Sequence, residues 1–100
     1  MENQHNVYQV DPRDAYAIEG VRDFFREKIC MIADKLLAQY GRFDPENADF
    51  MAVVSFGKRV NGLMALFFSE GLPPEEKDQK LIAQIDDMHR QLLELLAKAQ

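Results

Sequence analysis

The stretch Phe50-Met51-Ala52-Val53-Val54-Ser55-Phe56-Gly57-Lys58-Arg59-Val60-Asn61-Gly62-Leu63-Met64-Ala65-Leu66-Phe67-Phe68 decides the architecture of this chain. Wound as a helix, its apolar side chains cover nearly the whole circumference, and a helix apolar all round is one that is buried on all sides. The flanks mark its ends. Asp44-Pro45 places a capping carboxylate before a proline at the first helical position, and Gly71 after Glu70 offers the left-handed residue that closes a helix. The expected element therefore runs from about residue 45 to 70. Gly57 and Gly62 remove side chains where another helix can approach closely, the favoured reading, or mark a break between two shorter helices.

Outward from this centre, the same grammar recurs. Asp11-Pro12 opens and Gly41 closes a helix from about residue 12 to 40, with Ile18, Val21, Phe25, Ile29, Ile32, Leu36 and Tyr40 at steps of three or four along one face. At 1.5 Å per residue it spans roughly 43 Å. Gly20 is a point where it either bends or continues, since glycine costs about 1 kcal/mol relative to alanine inside a helix. The third helix, about 74 to 99, begins at Pro73-Pro74, with Glu75 and Glu76 at the positive end of its dipole. Its apolar residues Leu81, Ile85, Met88, Leu92, Leu95 and Ala99 repeat at alternating steps of four and three, the spacing of a coiled-coil seam.

Short links around Arg42 to Asp44 and Leu72 to Pro73 bring consecutive helices together antiparallel. The expected fold is all-α: an antiparallel three-helix bundle over residues 11–100, preceded by a flexible arm over residues 1–10 with Tyr8 as its apolar anchor. With 100 residues, 47% of them hydrophobic, the chain can bury one core but not two.

A helix apolar all round needs more cover than two neighbours supply. Burying one Phe or Leu is worth about 1.5–3 kcal/mol, and the natural cover is a second copy. The expected partner is thus a homodimer mate, met through the central helix at Phe50, Val54, Gly57, Val60, Met64, Phe67 and Phe68; the alternative is a monomer whose long first helix bends at Gly20 and wraps the central helix from both sides.

The net charge of −5 and the scatter of the twelve basic residues argue against direct nucleic-acid binding, which needs clustered Lys and Arg. Cys30, the only cysteine, lies among Ile29, Met31 and Ile32 and reads as a small core residue. No intrachain disulfide can form, which fits a reducing cytoplasm. No targeting segment is evident at the start, and Lys58, Arg59 and Asn61 interrupt the longest apolar run, so no membrane span is expected.

Catalytic and metal-binding patterns are thin. Of Asp86, Asp87 and His89, only Asp86 and His89 share a helix face, and no second pair completes a coordination shell. His5 falls in the arm. Ser55 and Ser69 lack a histidine and an orienting acid, and no glycine-rich phosphate loop occurs. No cofactor, metal or catalytic residue is expected.

Ile85-Asp86-Asp87-Met88-His89-Arg90-Gln91-Leu92-Leu93-Glu94-Leu95-Leu96 resembles the first helix of the all-helical chorismate mutases. The resemblance covers about a tenth of the chain. It implies a helical bundle, but that family's helix leads on to a catalytic arginine where this chain has Ala99. No catalytic role is carried across.

Glu19, Asp23 and Glu27 recur every four residues, about 6 Å apart, close to the spacing of phosphates along a strand. Arg22 and Arg26 lie beside them and can pair with them as an ordinary solvated face. The residues favour a non-enzymatic interaction module, an adaptor or inhibitor of a larger protein assembly. The alternative is an acidic nucleic-acid mimic of the kind a phage or mobile element uses against a nucleic-acid-binding complex. An enzyme of chorismate-mutase type is disfavoured.

Overall fold

The computed structural model describes residues 10–99. The arm's anchor Tyr8, and His5, lie outside them. Three helices follow in order: α1 (Ala15–Tyr40), α2 (Ala48–Phe67) and α3 (Pro74–Lys98). Helix α2 packs against both others, and the direct contact between α1 and α3 is the smallest of the three. The molecule measures 45 × 27 × 21 Å. The 26 residues of α1 span about 39 Å, most of that length.

The two Asp-Pro signals start the helices one turn later than expected. Asp11-Pro12-Arg13-Asp14 is a turn closed by the Asp14 N–H donating to the Asp11 carbonyl at 3.0 Å, and the Asn47 N–H donates likewise to the Asp44 carbonyl at 3.1 Å. Each first aspartate accepts from the backbone two residues on, Asp11 from Arg13 and Asp44 from Glu46, both at 2.9 Å. Proline at the second position pre-sets such a turn. The helix caps are the residues that end the turns. Asp14 accepts from Tyr16 and Ala17, and Asn47 accepts from Asp49 at 2.8 Å and Phe50 at 3.3 Å. We therefore expect Asn47→Ala to cost about 1 kcal/mol in denaturant unfolding and Asp44→Ala less. Equal losses would mean that the turn, not the cap, fixes the start of α2.

Helix α1 runs unbroken through Gly20. It ends as expected at Gly41, whose φ of 83° is the left-handed conformation and whose N–H donates to the Leu37 carbonyl. Helix α2 ends at Phe67, short of Gly71, and Gly71 does not adopt positive φ.

The core takes Ile18, Val21, Phe25, Ile29, Ile32 and Leu36 from α1, and Leu81, Ile85, Met88, Leu92, Leu95 and Ala99 from the α3 seam. These are the expected faces, less Tyr40, which stays exposed. From α2 come Phe50, Phe56, Val60 and Leu63. Phe25 and Phe56 meet edge to face at 5.6 Å in the middle. Val10, at the end of the expected arm, packs against this core.

Helix α2 is not buried on all sides. Met51, Ser55, Lys58, Asn61, Ala65 and Phe68 are exposed. A Cβ added at Gly57 or Gly62 would meet no atom within 4 Å, so no helix of this chain approaches either glycine closely. Cys30 is exposed rather than part of the core, because it lies well round α1 from Phe25, Ile29 and Ile32. By length and composition alone α2 could cross a membrane, with a mean hydropathy of 1.2. A core helix passes the same test, and α2 supplies a quarter or so of this core and carries an Arg59 tied to α3.

Candidate interaction surface

The structure divides the residues expected at a dimer interface. Phe50 and Val60, 3% and 1% exposed, belong to the chain's own core and cannot meet a partner without opening it. Val54, Gly57, Met64 and Phe67 are half-buried. Phe68 stands 66% exposed at the end of α2. Apolar character alone does not say which side of α2 meets α1 and α3.

Phe68 borders a cleft of about 370 Å³ lined by Pro12, Arg13, Phe67, Ser69, Glu70, Pro74, Lys77 and Asp78, where the end of α2 meets the starts of α1 and α3. The cleft is held by charge. The Lys77 ammonium donates to the Phe67 carbonyl at 2.9 Å and the Ser69 carbonyl at 3.2 Å, and sits 5.8 Å from the Phe67 ring centroid. The first is a carbonyl that the helix end leaves without an internal donor, and the second lies just beyond it. The Ser69 hydroxyl donates to the Leu66 carbonyl at 2.9 Å. Arg13 pairs with Asp78 at 2.8 Å, and this hydrogen bond, then the Asp78 charge, raises the Arg13 pKa above its ordinary value. Phe67 and Phe68 are themselves edge to face at 5.0 Å. The arrangement fixes an exposed aromatic ring on a stiff support.

At the α1–α2 turn, Tyr40 and Phe43 both lean on buried Phe50, with ring centroids 5.8 and 5.4 Å away. Both keep an outer face in solvent. The signal that would have found this cluster is the aromatic run around Gly41, where the left-handed turn folds Phe43 back over α2.

Between α2 and α3 runs a polar ladder. Arg59 donates to Gln91 at 2.8 Å and Gln84 at 3.4 Å and pairs with Asp87 at 2.8 Å, while Arg90 pairs with the other Asp87 oxygen at 3.0 Å. Asp87 is thus spent on two arginines. Among the described residues no group of three His, Cys, Asp or Glu could hold a metal ion.

The acidic stripe behaves as the pairing alternative anticipated at one of its three positions. Asp23 accepts from Arg22 at 3.0 Å, Glu27 is exposed and Glu19 is half-buried. Ala99, where the chorismate-mutase resemblance would call for an arginine, is buried in the core. No protein-family model matches the chain, and neither a curated protein nor a solved structure matches it.

Proposed function

We propose that this chain is a non-catalytic protein-interaction module, acting as a homodimer in the cytoplasm and serving as an adaptor or inhibitor of a larger protein assembly. The observation that carries the reading is Phe68, a large aromatic side chain two-thirds in solvent on a support built from Lys77, Arg13 and Asp78. Covering the two-thirds of the ring still in solvent is worth about 1–2 kcal/mol, and a support already formed lowers the entropy lost when it docks. Met51, on the outward side of the same helix, adds a second uncovered apolar group.

In this reading the helices run up, down and up. The start of α1 lies beside the start of α3 through Arg13 and Asp78, and Lys98 near the end of α3 comes within 4.0 Å of Asp49 at the start of α2. The dimer then forms on α2, leaving α1, with its acidic stripe, and the outer face of α3, with exposed Leu93, to meet the larger assembly. An exposed, unpaired thiol at Cys30 suits a reducing compartment.

Sedimentation equilibrium over about 1 to 100 µM tests the pairing. The expected mass is twice the 11.6 kDa of one chain. A single-chain mass throughout that range would sink the homodimer.

A further inference from the structure

The cleft where the end of α2 meets the starts of α1 and α3 holds two aromatic rings in different company. Phe67 already carries a cation, the Lys77 ammonium 5.8 Å from its centroid. Phe68, edge to face with it at 5.0 Å, is two-thirds in solvent and has no cation over it among the described residues. Glu70 lines the same cleft and is exposed. It lies past the C-terminal end of α2, the negative end of the helix dipole, where an acid is disfavoured. Among the described residues no cation pairs with it. The fold gains nothing from a carboxylate there.

The surroundings are of one sign. Residues 11–14 and 67–78, which form this end of the molecule, contain the acids Asp11, Asp14, Glu70, Glu75, Glu76 and Asp78 but only the bases Arg13 and Lys77. Most of the chain's net charge of −5 is therefore collected here. Both bases are already engaged. Arg13 is held on Asp78 at 2.8 Å, with the charges of Asp11 and Glu75 also acting on it, and Lys77 donates to the Phe67 and Ser69 carbonyls. Part of this acidity serves the helices, since Asp14 caps α1 and Glu75 and Glu76 stand in the first turn of α3. Glu70 has no such duty.

What complements the cleft is a cation on an apolar stem. Its volume of about 370 Å³ is at the small end of the range for ligand sites, about 300–1,000 Å³, which suits a long side chain rather than a folded domain. Pro12 and Pro74 give apolar walls to a hydrocarbon stem. A guanidinium is planar and weakly hydrated, so it stacks on an aromatic face while pairing with a carboxylate, which an ammonium does less well.

We infer that this cleft takes an arginine side chain from a basic segment of a partner protein, with the guanidinium over the Phe68 ring and paired with Glu70. The inference rests on the reading of this chain as an interaction module and names the chemistry of its partner. It does not depend on the homodimer.

The test is a titration of the isotopically labelled full chain, followed by its amide resonances, with a short synthetic peptide of alternating arginine and glycine. The same peptide with lysine in place of arginine is the control. The arginine peptide is expected to shift the Phe68, Ser69 and Glu70 amides most and to bind more tightly than the lysine peptide. Phe68→Leu keeps an apolar side chain without the aromatic face and weakens arginine binding about threefold. Glu70→Gln weakens it about threefold at low salt and little at high salt. Both positions are exposed, so both variants retain the fold, as circular dichroism confirms. Shifts centred elsewhere overturn the inference, as does equal binding of the lysine peptide or binding that ignores both substitutions. Sedimentation of the same samples reports pairing separately. A dimer that does not bind the peptide overturns the inference alone, and a single-chain species that binds it at the cleft upholds the inference while overturning the homodimer.

Discussion

Replacing Phe56 by alanine is expected to lower the free energy of unfolding by about 3–5 kcal/mol, a large part of the roughly 5–15 kcal/mol that holds a domain together. Phe56 is fully buried and meets Phe25 edge to face at 5.6 Å, so truncation removes its burial, breaks the ring pair and leaves a cavity at the junction of α1 and α2. The core around it is made of residues on regular helices, which cannot collapse far into the space. Phe56→Leu retains most of the volume and is expected to cost about 1–1.5 kcal/mol. With a urea m-value of about 2 kcal/mol/M, the alanine variant shifts the midpoint down by roughly 2 M. A loss below about 1 kcal/mol would mean that Phe56 does not pack against Phe25 in the core between α1 and α2.

The faces of α1 and α3 were legible because each has a polar side. Ile18 through Leu36 and Leu81 through Ala99 alternate with charged residues, so periodicity alone orients both helices toward the core, and every one of those positions is buried. Helix α2 has no such contrast. Its apolar residues lie all round, so the pattern identifies the central helix but cannot distinguish the core side, Phe56 and Leu63, from the outward side, Met51 and Phe68. That distinction comes from the packing of α1 and α3, which no local pattern encodes.

Helix starts show a related limit. Asp11-Pro12 and Asp44-Pro45 carry the composition of a capped helix start, yet a proline after aspartate equally favours a turn. Asp14 and Asn47 follow at the turns' ends and are better placed to receive the first free N–H groups. The places of Tyr40, Phe43 and Arg59 are not legible in the sequence for another reason. Their roles depend on neighbours distant in sequence, such as Phe50 for the aromatic pair and Gln84, Asp87 and Gln91 for the arginine.

The end of α2 likewise depends on a neighbour from another helix. Gly71 has the residue type of a helix stop, but the helix finishes at Phe67 and its carbonyl is taken by a lysine from α3. Lys77→Met keeps the stem beside the Phe67 ring while removing the ammonium, leaving the Phe67 and Ser69 carbonyls without that donor. Hydrogen bonds from a charged donor are worth about 1.5–3 kcal/mol, and partial access to water reduces the loss to about 2 kcal/mol. Urea unfolding measures it, and hydrogen exchange at Phe68 and Ser69 locates it, since their amide bonds to the Met64 and Leu66 carbonyls open once the end frays. Lys77→Arg, which restores a charged donor, recovers most of the loss. If the homodimer also uses Phe68, the methionine variant pairs more weakly than wild type, by about threefold or more, because a ring on a frayed turn must be ordered again before it docks. Fast exchange at the helix end with undiminished pairing would separate the two roles and remove Phe68 from the dimer contact.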